Sequence, residues 1–106
     1  MGASAWLRFA GERDARGTVS LDLSKQGAQF SGIRPAEDGT PVLVHLQLAS
    51  GSPVIECKGR VCWSRLMPNG LHNFGVRFLD LLDDEAALIE RFLSGGPRLL
   101  PRLAAV

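Results

Sequence analysis

With 106 residues, 45% of them hydrophobic, the chain is sized for one domain that buries its own core without disulfide or metal staples. Twelve Lys and Arg against eleven Asp and Glu leave a formal net charge of +1. That balance argues against duplex nucleic acid or an anionic membrane as the main partner, yet a small anion needs only a few local cations. No apolar run reaches the roughly 18 residues of a membrane span. Met1-Gly2-Ala3-Ser4 runs directly into Trp6-Leu7-Arg8-Phe9 without the basic and apolar regions of a signal peptide, so a cytoplasmic protein is expected.

Residues 6–9 read as a first strand, and residues 11–17 as a polar loop. From Thr18 the alternation is regular, with Val19, Leu21 and Leu23 on one side and Thr18, Ser20, Asp22 and Ser24 on the other. Lys25-Gln26-Gly27 breaks it, and Gly27 suits a turn that needs positive φ. Residues 28–33 resume as a strand around Phe30, and Pro35, Asp38, Gly39 and Pro41 mark a loop. Val42, Val44, Leu46 and Leu48 then alternate with Leu43, His45 and Gln47. After the turn Ser50-Gly51-Ser52-Pro53, residues 54–63 form a long strand with Cys57, Gly59, Val61 and Trp63 on one face. Met67-Pro68-Asn69-Gly70 is a turn, and Phe74, Val76 and Phe78 mark the inner face of a sixth strand.

The period changes near Leu82. Asp83 is expected to cap a helix over about residues 83–94, with Asp84 and Glu85 favoured by the dipole of its first turn. Glu85, Leu88, Ile89, Phe92 and Leu93 share a face, and Gly95-Gly96-Pro97 ends the helix. Six strands followed by one helix predict a mainly β domain over residues 1–94, a six-stranded antiparallel barrel closed at one end by the helix. A split sheet or small sandwich fits the same pattern. The tail, residues 95–106, carries Leu99, Leu100 and Leu103, a candidate hydrophobic partner surface.

Cys57 and Cys62 are an odd number of residues apart on one strand and so face opposite ways, which disfavours a disulfide. With no His beside them they make a poor metal site. His45 and His72 read as solvated, Arg60 and Arg77 as an outward solvated face, and Trp63, in phase with Val61, as core. Trp6 is as consistent with core as with surface. No G-x-S-x-G, P-loop, zinc-type spacing or Cys/His constellation is present, so no catalysis and no cofactor are expected.

Asp22-Leu23-Ser24-Lys25-Gln26-Gly27 matches the D/N-x-S-x-x-G motif of PilZ domains. Gly17-Thr18-Val19 leads into it and Ala28-Gln29-Phe30 out of it. Gly39-Thr40-Pro41-Val42, Gly59-Arg60-Val61-Cys62-Trp63 and Gly75-Val76-Arg77-Phe78-Leu79-Asp80 follow in family order, so the chain resembles a PilZ domain over residues 5–94. The resemblance implies the PilZ-type barrel and a ligand, cyclic-di-GMP. In the family an R-x-x-x-R pair before the first strand and the D/N-x-S-x-x-G motif bind it together. Asp22, Ser24 and Gly27 are the residues that carry over. The arginine pair does not: the nearest arrangement is Arg13-x-x-Arg16, between the first two strands, and Arg8 stands alone.

An arginine fork on guanine is worth ~1–3 kcal/mol, so losing two costs ~2–6 kcal/mol, or roughly 30-fold to 10⁴-fold in affinity. The expectation is therefore a non-catalytic regulatory domain of bacterial cyclic-di-GMP and motility signalling that is degenerate in ligand binding. It would act through a protein partner, as ligand-independent family members do in type IV pilus assembly or motility control. The alternative is a working cyclic-di-GMP receptor in which Arg8, Arg13 and Arg16 supply the missing cations.

Overall fold

The structure, a computed structural model, describes residues 3–94. Six strands, β1 (Ser4–Phe9), β2 (Arg16–Leu23), β3 (Gly27–Gly32), β4 (Pro41–Gln47), β5 (Ile55–Leu66) and β6 (His72–Phe78), precede one helix, α1 (Asp83–Ser94). All neighbours are antiparallel, and the order β1-β2-β3-β6-β5-β4 closes on itself through β4 and β1. Closure removes every free sheet edge. The barrel and its helix are as expected from the sequence; Leu99, Leu100 and Leu103 lie outside the described residues.

Alternation supplies the interior. Ala5, Leu7 and Phe9 of β1, Val42, Val44 and Leu46 of β4, and Phe74, Val76 and Phe78 of β6 all point inward and are buried. Phe74 is the hub at one end, edge-on to Phe9 at 5.6 Å and tilted against Phe30 at 5.9 Å. The Arg16 guanidinium lies 4.2 Å from the Phe9 ring centre and covers that end. Helix α1 covers the other with Ile89, fully buried, flanked by the half-buried Leu88 and Phe92. Leu93, expected on the same face, is exposed because it falls past the edge of that stripe.

Three local expectations are corrected. The first helical bond runs from Ala86 N–H to the Leu82 carbonyl, so Leu82 rather than Asp83 stands at the cap; the Glu85 carboxylate reaches back to Leu82 N–H at 3.0 Å. The inner face of β2 is also out of the expected phase. Ser20 pairs with Phe30 and Asp22 with Gln29, leaving Leu21 as an extra residue in a β-bulge. Before the bulge, Ser20 faces inward and Val19 and Leu21 outward, 55% and 51% exposed; after it, Leu23 is buried. Ser20 is tolerated inside because its Oγ accepts the Ala3 N–H at 2.8 Å. Finally, among the described residues the glycines with positive φ are Gly11, Gly39, Gly51 and Gly70, and Gly27 is not one of them. Its role is close approach: a Cβ there would overlap the Val76 carbonyl of β6.

Cys57 faces inward and is buried, while Cys62 is exposed, and both are free thiols. Burial, helped by the nearby charges of Asp80 and Glu85, pushes the Cys57 thiol up to about 12 from its ordinary 9.0. Between those values the denatured thiol has lost its proton and the folded one has kept it. Stability held below pH 9 should therefore decline as pH rises through that window. The sequence has no tyrosine to titrate alongside. Cys57→Ala should flatten the fall of the denaturation midpoint with pH above 9, and an unchanged slope would assign the titration to another group.

Candidate functional site

The outer face beside the Asp22–Gly27 turn is built by register. Asp22 lies opposite Gln29, Gln29 opposite Gly75, and Gly75 opposite Trp63, so one row crosses β2, β3, β6 and β5. With strands about 4.8 Å apart, the row is about 14 Å long measured along the curved sheet. A neighbouring row reads Gly27, Arg77, Arg60 and Pro41 across β3, β6, β5 and β4. A surface cleft of about 540 Å³ lies over this region, lined among others by Asp22, Ser24, Gly27, Gln29, Trp63 and Arg77. Its volume is within the usual range for small-molecule sites.

Trp63 is the residue that sequence reasoning misplaced. Val61 pairs with Val76 and Trp63 with Gly75, so Cys62 is an extra residue and a second bulge turns Trp63 outward, 37% exposed. The indole lies across Gly75, where a Cβ would collide with its Nε1 edge. Gly75 is itself buried beneath that ring. Arg65 carried the signal: two residues beyond Trp63, continued alternation would have put its charge in the core, so the phase had to change before it.

The turn uses part of the motif for itself. Asp22 Oδ1 accepts the Leu23 N–H at 2.9 Å, and Ser24 Oγ accepts the Gln26 N–H at 3.1 Å. Ser24 N–H donates to the Gly27 carbonyl at 2.8 Å, and Phe78 N–H to the Gln26 carbonyl at 2.8 Å, tying the turn to β6. Lys25 reaches Glu90 of α1 at 3.4 Å. Ser24 thus shapes the turn, and Asp22, which lines the cleft, has a second carboxylate oxygen that makes no hydrogen bond among the described residues.

The three arginines named from sequence are elsewhere. Arg16 and Asp22 stand at opposite ends of β2, six residues or about 20 Å apart. Arg16 is held by Glu12, whose carboxyl it keeps below the usual range chiefly through their side-chain hydrogen bond, and it also donates to the Pro35 carbonyl at 3.3 Å. Arg13 is exposed in the β1–β2 loop, and Arg8 borders a separate recess with Lys58 and Arg60. None of the three lines the Asp22 cleft. His45, read as solvated, lies 3.6 Å from Glu56 on the neighbouring strand. Among the described residues no group of His, Cys, Asp and Glu is placed to hold a metal ion, and no helix is long and apolar enough to cross a membrane.

A family model, the PilZ domain, matches residues 4–95. The chain belongs to the PilZ domain family. PilZ domains are generally non-catalytic binding or regulatory domains of cyclic-di-GMP signalling. The fold is similar to that of the Bacillus subtilis inhibitor of motility, MotI/DgrA, with a TM-score of 0.75 and 12% identity over 95% of this chain and 50% of that one. It is also similar to a pathogenic protein of Xanthomonas campestris, a tetrameric PilZ domain self-assembled through a helical bundle, with a TM-score of 0.61 and 20% identity over 83% of this chain and 49% of that one. The chain spans about half the length of both. Comparison with curated proteins gives no match.

Gly75→Ala should lift the Trp63 ring off the sheet. The expected result, in a Trp6→Phe background so that Trp63 alone emits, is a red-shifted fluorescence maximum and a loss of about 1–3 kcal/mol of stability. An unmoved maximum would mean the ring does not rest on Gly75.

Proposed function

We propose that this PilZ domain is a non-catalytic regulatory module that receives cyclic-di-GMP on the cleft between the Asp22–Gly27 turn and Trp63. One observation carries this reading: Asp22, Gln29, Gly75 and Trp63 share a single outward row beside the motif turn. The chemistry suits a guanine nucleotide. The exposed part of the indole offers a stacking surface, worth about 1–3 kcal/mol per base in nucleic-acid complexes. The free oxygen of Asp22 accepts N–H groups from a base edge, and Gln29 offers both a donor and an acceptor. Arg77 supplies a guanidinium to a phosphate. The domain would work in the cytoplasm, and its output would be a change in what it contacts rather than a reaction.

A second reading has an observation of its own. Among the described residues Arg77 is the one cation lining the cleft, and cyclic-di-GMP carries two phosphates. On the β1–β2 face, Trp6 stands opposite Gly17, and Trp6, Val19 and Leu21 are all about half exposed. In this reading the nucleotide site is degenerate and that apolar stripe meets a protein partner.

Calorimetric titration separates the two. Saturable binding below about 100 µM, corresponding to more than about 5.5 kcal/mol of binding free energy, is expected for the receptor, with loss in Asp22→Ala. Absence of heat at that concentration would sink the receptor reading in favour of protein contact.

A further inference from the structure

We propose that Arg60 and Arg77 form a paired site on the outside of the barrel for a phosphate-type anion. The inference deepens the receptor reading, and rests on it only for the identity of that anion. The two arginines lie directly opposite each other on β5 and β6, and both are exposed. Opposed residues on antiparallel strands project the same way, with Cβ atoms about 4.5–5.5 Å apart, and like charges in that position repel. A carboxylate between them would relieve the repulsion, but among the described residues neither has an ion-pair partner. Three acids of the described residues meet other cations or a histidine, Glu12 with Arg16, Glu90 with Lys25 and Glu56 beside His45, and Asp22, which lines a cleft with Arg77, makes no ion pair with it. Asp80 accepts the Lys58 N–H at 2.6 Å, and Asp38 meets the Ser64 hydroxyl at 3.3 Å.

The surroundings suit an anion. Gly27 and Pro41 complete the row on either side, so the row itself holds no counter-charge. Arg60 is oriented by one bond, from Nη1 to the Gly39 carbonyl at 2.8 Å, which leaves its other donors available. A recess of about 390 Å³ is lined by both arginines with Val61, Cys62, Phe78 and Leu79. Arg77 and Cys62 also line the Asp22 cleft, so the recess and the cleft adjoin. Two planar forks over one recess match the oxygens of a phosphate or phosphodiester, and one bound anion neutralises a repulsion the free protein retains. A nucleotide seated between Asp22 and Trp63 would place a phosphate there.

Pyrophosphate is the probe, titrated at low ionic strength and followed by thermal unfolding against chloride of equal ionic strength. The unfolding temperature of the unmodified chain should rise with pyrophosphate. Arg60→Gln and Arg77→Gln, which change exposed side chains and should fold, should each weaken the response roughly 10-fold. Arg13→Gln, exposed in the β1–β2 loop and outside the recess, should respond as the unmodified chain does. No response from the unmodified chain, or equal loss in Arg13→Gln, would overturn the paired site. Cyclic-di-GMP run on the same variants tells the two claims apart. Pyrophosphate binding that needs both arginines, without nucleotide binding, leaves the pair standing and removes the receptor reading. Nucleotide binding lost in Asp22→Ala, with the pyrophosphate response intact in both glutamine variants, leaves the receptor reading standing and removes the pair.

Discussion

Two strands of this barrel are each one residue longer than their pairing partners allow, and the outer face depends on that excess. In a closed antiparallel barrel each residue faces core or solvent by parity alone, so an extra residue exchanges the faces of everything beyond it. The bulge at Leu21 lets β2 enter the core with Ser20 and leave it with Leu23, which sets Asp22 on the outside. The bulge at Cys62 does the same on β5, where Val61 is core and Trp63 is surface. Between them, β3 and β6 hold regular register, so Gln29 and Gly75 join Asp22 to Trp63 in one row.

The small residues follow from that arrangement. Gly75 is glycine because an indole lies over it, and Gly27 because β3 meets the Val76 carbonyl of β6 too closely for a Cβ. The motif residues then divide their work. Gly27 seats the strand, Ser24 closes the turn, and Asp22 has an oxygen to spare. This division explains how a motif associated with a ligand also has a structural reason to be there, and why its presence alone does not measure affinity.

The sequence was most readable where parity was undisturbed. Val42, Val44 and Leu46, and Phe74, Val76 and Phe78, are buried as their alternation implied, and the helix spans the expected residues. The motif turn was located from three residues, Asp22, Ser24 and Gly27. What escaped was the phase of Val19 and Leu21 and the exposure of Trp63, because a bulge leaves no mark in composition. On β5 the charge of Arg65 was a usable clue. On β2, Val19, Leu21 and Leu23 are all apolar, and nothing in the residues distinguishes those that end up outside. Arg77 was read as outward, but its neighbours could not be known before the register of β5 against β6 fixed them.

The two thiols give the protein a handle of a different kind. Cys57 is enclosed and holds its proton far into the alkaline range, so at neutral pH it is inert to alkylating reagents. Cys62 stands exposed at the bulge, its sulfur 3.4 Å from the Gly75 carbonyl, on the wall shared by the Asp22 cleft and the arginine recess. A small fluorinated tag would therefore attach to the unaltered chain at one defined place. It would sense, through its resonance, whatever comes to occupy either side of that wall.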